Sequence, residues 1–166
     1  RNIAIGYGTL DAPDTENDNL AIGYNALGGS IAGGEKNVAI GNYSLDAATS
    51  GDNNTATGYD ALTGNTTGAD NTALGYDAGD VITTGSQNVI IGSGSDPSAN
   101  SGANQIVIGY GATGHGDNIA VIGNGSNTAI HPHDNNEVDL GSSTYKFKNL
   151  HLAGSALVGV ASTITS

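Results

Sequence analysis

The chain has no cysteine, no methionine and no tryptophan, and its 166 residues carry 4 lysines and arginines against 16 aspartates and glutamates. Each shortage excludes something. Without cysteine there is no disulfide and no thiolate zinc site. With a formal net charge of −12 there is no cluster of cations to neutralise phosphates, so no nucleic-acid partner is expected. An anionic membrane surface is disfavoured for the same reason. No apolar run approaches the length of a membrane-spanning helix, so no membrane insertion is expected either. Glycine is plentiful at 27, but proline stands at 3 and no Gly-X-Y period exists, which excludes collagen. Leucine, isoleucine, valine and phenylalanine together number 33, about a fifth of the chain and near the level at which disorder is suspected.

Order is what the repeats supply. The stretch Asn37-Val38-Ala39-Ile40-Gly41 recurs at Asn2–Gly6, Asn19–Gly23, Asn54–Gly58, Asn71–Gly75 and Asn88–Gly92, with looser copies at Gln105–Gly109 and before Gly123. The closing glycines are Gly6, Gly23, Gly41, Gly58, Gly75, Gly92, Gly109 and Gly123. Their spacing is 17 throughout, apart from one step of 18 between Gly23 and Gly41 and a last step of 14. Low-complexity disorder has no reason to return an apolar segment at a fixed interval, whereas a solenoid requires it.

Within one repeat, Val38 and Ile40 point to one face of a strand and Ala39 to the other, and apolar side chains on both faces predict burial on both. Glycine ends the strand where a tight turn demands it. The following segment, Tyr24-Asn25-Ala26-Leu27 or Tyr59-Asp60-Ala61-Leu62, keeps Ala and Leu in register and reads as a return strand. Polar stretches such as Thr67-Gly68-Ala69-Asp70 supply the second turn. The expected coil is therefore strand, turn, strand, turn, stacked in parallel at about 4.8 Å per coil. Tyr7, Tyr24, Tyr59, Tyr76 and Tyr110 would form a ladder on one edge, and the recurring Asn would bond its neighbours above and below. Such a coil encloses little and leaves an apolar face uncovered, for which association of identical chains about a symmetry axis is the natural remedy.

The Asn-x-Ala-Ile-Gly strand followed by Tyr-x-Ala-Leu resembles the head repeats of trimeric autotransporter adhesins, and the fuller wording Thr-Gly-x-x-Asn-Thr-Ala-x-Gly-Tyr-x-Ala-Leu resembles repeats of phage tail-fibre and spike proteins. The resemblance covers residues 1–127. It implies an all-β fold, a left-handed parallel β-roll built as an intertwined or side-by-side homotrimer, although the adhesin coil is commonly shorter than this one. After Asn127 the period stops. Asp139-Leu140-Gly141-Ser142-Ser143 with Tyr145-Lys146-Phe147-Lys148-Asn149-Leu150 resembles the segment preceding the C-terminal chaperone domain of phage tail fibres, a domain that drives trimerisation and is often removed by self-cleavage. The expected organisation is a repeat roll (1–127), a neck or capping segment (128–152) and a C-terminal strand (153–166) leading to a downstream region. Arg1 sits on a repeat boundary, and the chain reads as a piece of a longer protein.

The resemblance implies a structural and adhesive module of a trimeric phage tail fibre. Its partners would be two further copies of itself, other fibre or baseplate proteins, and a host cell-surface glycan or protein. It would reside in the virion, or on a bacterial surface if the chain is an autotransporter head. Chemistry is sparse. His131-Pro132-His133 is the one ligand-like spacing, and a trimer would gather these imidazoles around its axis, but a surface turn explains them better. Gly109-Tyr110-Gly111-Ala112-Thr113-Gly114 matches the dinucleotide pattern but has no βαβ setting. No carboxylate pair stands out from its repeat equivalents, and no nucleophile–base set is present. No catalytic, cofactor or metal residue is therefore assigned, and no enzyme activity is expected. Sequons at Asn42, Asn53, Asn65 and Asn124 follow from the wealth of Asn and Thr. An ice-binding solenoid would need an array of Thr-x-Thr, of which Thr55-Ala56-Thr57 is the one example. A polysaccharide-degrading spike would need a carboxylate pair between chains.

Overall fold

A computed structural model describes residues 1–11, 18–29, 34–127 and 144–149. The chain divides into two compact units, Arg1–Thr128 and Ala129–Ser166. The first is an all-β solenoid with one short strand per coil: β1 (Ile3–Ile5), β2 (Leu20–Ile22), β3 (Val38–Ile40), β4 (Thr55–Thr57), β5 (Thr72–Leu74), β6 (Val89–Ile91), β7 (Ile106–Ile108) and β8 (Ala120–Ile122). They form a single parallel sheet in sequence order. Register is unbroken: Ala39 pairs with Ala21 and Ala56, and Ile40 with Ile22 and Thr57. The shorter final step keeps it, with Val107 opposite Val121. Of the second unit only 144–149 lie among the described residues, where Tyr145 and Phe147 are exposed. The remainder of the neck, the C-terminal strand and His131-Pro132-His133 lie outside them.

The return strand is not a strand. Asn25 and Leu27, Tyr43 and Leu45, and Asp60 and Leu62 all have φ between 49° and 60°. Alternating left-handed residues make a tight corner, and the main chain bonds to the coils on both sides. Asp60 N–H donates to Asn42 O at 3.1 Å and Leu62 N–H to Ala78 O at 3.0 Å. Left-handed Leu is costly, and what offsets the strain is burial: Leu27, Leu45 and Leu62 are fully enclosed. The next coil avoids the strain. Gly79 stands where Leu62 would repeat, and a Cβ there would come within 3.0 Å of Leu62 Cδ2 and 3.3 Å of Ile82 Cδ1. Ile82, fully buried, fills the volume instead.

The core is narrow. Ala21, Ala39, Ala56, Ala73, Ile90 and Val107, the strand centres, point into the coil and meet the corner residues Ala26, Ala61, Ala78 and Ala112. Alongside them runs a buried amide ladder. Each Asn opening a strand accepts from the N–H of its counterpart in the next coil: Asn37 N–H to Asn19 Oδ1 at 2.8 Å, Asn54 to Asn37 at 2.8 Å, Asn71 to Asn54 at 3.0 Å, Asn88 to Asn71 at 3.1 Å. Each Nδ2 donates to a glycine carbonyl in the polar turn that closes its own coil, as in Asn54 to Gly68 at 2.9 Å and Asn71 to Gly85 at 2.8 Å. Gln105 ends the ladder, its longer amide reaching Ser98 and Asp117. The expected stacking of Asn above and below is thus observed. These buried amides hold the coil together and are closed to a ligand.

Candidate functional site: the strand face and the tyrosine corner

Two surfaces of the solenoid remain open. The first is the outer face of the sheet. The side chains flanking each buried strand centre point outward, and they are apolar in most coils: Ile5, Ile40, Leu74 and Ile122 are exposed, Leu74 by 49%. The expectation of burial on both faces therefore holds for the inner face alone in a single chain. The reason is dimensional. A coil of one short strand and tight corners folds back on its alanine side and cannot also cover the other. Thr55, Thr57 and Thr72 interrupt the apolar rows near the middle, with Ile40 and Leu74 beside them.

The second surface is the corner after the strand. Rings stack there from coil to coil: Tyr7–Tyr24 at 5.6 Å between centroids, Tyr24–Tyr43 at 5.3 Å, Tyr43–Tyr59 at 5.8 Å and Tyr59–Tyr76 at 5.6 Å. Tyr43, absent from the expected ladder, belongs to it. In its coil Asn42 holds the tyrosine position and accepts from Tyr24 N–H at 2.9 Å, and Tyr43 supplies the ring from the next position. Its near-perpendicular setting, 70° and 74° to its neighbours, follows from that offset. Tyr110 was expected in the ladder, yet among the described residues the ring contacts end at Tyr76.

Carboxylates line the same corner. Burial, then Asp77, Asp80 and Asp46, raise the Asp60 carboxyl above its ordinary value. The Asp77 charge, and then its hydrogen bond, raise the Tyr76 hydroxyl. Asp96 is pushed up to about 6, first by burial and then by Asp80, with which it shares a hydrogen bond. One Asp96 oxygen, Oδ1, is enclosed with no partner. The solenoid's own cations do not relieve the crowding: Arg1 lies 3.7 Å from Asp18 and Lys36 lies 3.8 Å from Glu35. Sequence reading missed this pair because Asp96 is not a repeat equivalent of Asp80. Two carboxyls close enough to share a hydrogen bond lack the gap of at least about 5 Å at which glycosidase carboxylates work.

A raised folded-state value means that stability is full below about pH 4 and is lost as pH rises through about 6. Asp96 is half-buried, so water screens much of the effect and the loss is about 1 kcal/mol. Asp96→Asn is expected to flatten that slope and to raise stability at pH 7, as read from urea melts at pH 4.0 and 7.0.

Among the described residues no group of three or more His, Asp or Glu is placed to hold a metal ion, and no helix is long and apolar enough to cross a membrane. Gly109–Gly114 lies in the corner of a coil, and among the described residues no helix follows it to receive a pyrophosphate. Of the sequons, Asn65 is buried with both amide atoms bonded to Gly68, so it is closed to modification. No family model, curated protein or solved structure matches the chain.

Proposed function

We propose that the chain is a structural and adhesive module of a trimeric phage tail fibre, in which three solenoids pack their strand faces around a common axis and present their corners to a host surface. The observation that carries it is the uncovered, largely apolar face of the sheet, whose Ile, Val and Leu rows span β1 to β3 and resume at Leu74 through β8, with Thr55, Thr57 and Thr72 between them. Covering each such side chain contributes about 1–2 kcal/mol, and rows set at the coil period suit a partner with the same period, which an identical chain has. The acidic surface disfavours nucleic acid and anionic membranes. The wording of the repeats and the Asp139–Leu150 segment favour a fibre over the head of a trimeric autotransporter adhesin, which the same geometry would also serve. Thr55, Thr57 and Thr72 are too few for an ice-binding array, and the hydrogen-bonded Asp80–Asp96 pair does not suit polysaccharide cleavage within one chain.

Light scattering tests the reading. The expected native mass is three times the 16.4 kDa of one chain. Leu74→Glu, which places charge on the exposed face without touching the coil interior, is expected to lower the mass toward one chain while the far-ultraviolet circular dichroism is retained. A folded wild-type monomer would overturn the trimer.

A further inference from the structure

The tyrosine ladder is broken at one place, and the break is not repaired. Position 42 also lacks tyrosine, but Tyr43 restores the stack there. Ser93 holds the tyrosine position of the β6 coil, and the residue next to it is Gly94. The glycine substitution recurs one coil on, at Gly111. The corner positions filled by Asn25, Asp60 and Asp77 in other coils are therefore empty at both, and a Cβ built on Gly94 or Gly111 meets nothing within 4 Å. The main chain runs through without a defect. Gly94 N–H donates to Tyr76 O at 2.8 Å and Gly111 N–H to Ser93 O at 2.9 Å, and Ile91 pairs with both Leu74 and Ile108. Side chains are missing from an intact frame. The result is a notch with Tyr76 on one side, Tyr110 on the other and Ser93 at its floor.

Its size follows from the coil spacing. Two steps of about 4.8 Å place the tyrosine positions on either side roughly 10 Å apart. Contact distances of about 4 Å to each ring leave room for one six-membered ring between them. Both tyrosines are well exposed, Tyr76 by 56% and Tyr110 by 78%, although Tyr76 carries Tyr59 on one face. Polar groups accompany the walls: the Ser93 hydroxyl at the floor and the Asp77 carboxylate beside Tyr76. An apolar wall with a few hydrogen-bonding groups at its edge suits a ring whose faces carry C–H and whose periphery carries hydroxyls. The net charge of −12 and the cluster of Asp60, Asp77, Asp80 and Asp96 repel sialic and uronic acids.

We propose that this notch is a subsite for one uncharged pyranose, a neutral hexose or N-acetylhexosamine, stacked against Tyr76 with Tyr110 opposite. The inference rests on the host-attachment reading and gives it a residue-level site. The test is saturation-transfer NMR on the whole chain with the methyl glycosides of glucose, galactose, mannose, N-acetylglucosamine and N-acetylgalactosamine. At least one is expected to receive saturation, with a Kd on the order of 1–10 mM. Ser93→Tyr, which completes the ladder and so leaves the fold intact, is expected to reduce the transfer at least tenfold, as is Tyr110→Ala. Tyr7→Ala, at the far end, is expected to leave it unchanged. No transfer to any of the five glycosides, or transfer that survives Ser93→Tyr, would overturn the subsite. Native mass measured on the same samples separates the two ideas: three chains without sugar transfer removes the subsite and keeps the fibre module, whereas a single chain that binds sugar does the reverse.

Discussion

Gly58→Ala is expected to abolish cooperative folding of the solenoid, at a cost of at least about 4 kcal/mol. Two causes act together. The residue has φ +144°, a region essentially closed to other residues. The added methyl would also overlap the carbonyl oxygen of Gly75 and lie 2.6 Å from its carbon. The obstacle is main chain belonging to the next coil, which is itself held by Gly75 N–H donating to Thr57 O at 2.9 Å. It cannot turn aside as a flexible side chain would. Because each coil contacts only its neighbours, a defect at the centre separates the two halves of the stack. Gly94→Ala is the control. Its φ is +62° and its Cβ would meet nothing within 4 Å, so the expected cost is only the left-handed strain of about 1 kcal/mol. Thermal melts by circular dichroism distinguish the two, and a Gly58→Ala chain that melts within a few degrees of the wild type would show that the coils are not in this register.

Asn71→Asp is expected to cost about 3–5 kcal/mol at pH 7 although it changes shape hardly at all. The Asn71 side chain is fully buried. Its oxygen accepts from Asn88 N–H at 3.1 Å and Asn88 Nδ2 at 3.0 Å, and its Nδ2 donates to Gly85 O at 2.8 Å. An aspartate keeps the acceptor and turns the donor into a second oxygen facing a carbonyl oxygen. Burial and that repulsion raise the folded-state value of the new carboxyl. Stability is then present at low pH, where the protonated oxygen donates to Gly85 O, and is lost as pH rises through the raised value. The deficit is expected to shrink to about 1 kcal/mol at pH 4. Denaturant melts of both chains across that range read it directly, and a deficit that does not change with pH would mean that the amide does not sit where the ladder requires.

Much of this was legible because the repeat projects each residue type onto a fixed place. Asn at the start of most strands, Ala at the centres of β1 to β5 and Gly closing every strand give the register and the amide ladder directly. The corner was misread as a strand for a physical reason. Ala and Leu recur there in step with the coil, as strand residues would, and Leu45 or Leu62 at positive φ is not a choice that propensity suggests. The signal lay in comparing coils. One position reads Asn25, Tyr43, Asp60, Asp77, Gly94, Gly111, and all but Tyr43 belong to the set of residues that tolerates the left-handed region. The next corner position reads Leu27, Leu45, Leu62, Gly79, and the glycine marks the conformation its leucine counterparts also adopt. The break at Ser93 was readable in the same way, but its meaning depends on Tyr43 repairing the earlier gap, which requires the ring positions. The Asp80–Asp96 pair could not be found from the period, because its two members occupy different places in their coils.

The proposed trimer has a direct test, and the absence of native cysteine makes it clean. Ile40→Cys places one thiol on the exposed strand face and Thr67→Cys places one on the exposed threonine side of the coil. Treated with a short trifunctional maleimide at micromolar protein, the Ile40→Cys chain is expected to yield a covalent species of three chains, and the Thr67→Cys chain to remain single. Equal cross-linking of the two, or an Ile40→Cys chain that stays single, would contradict an axis lined by the strand faces.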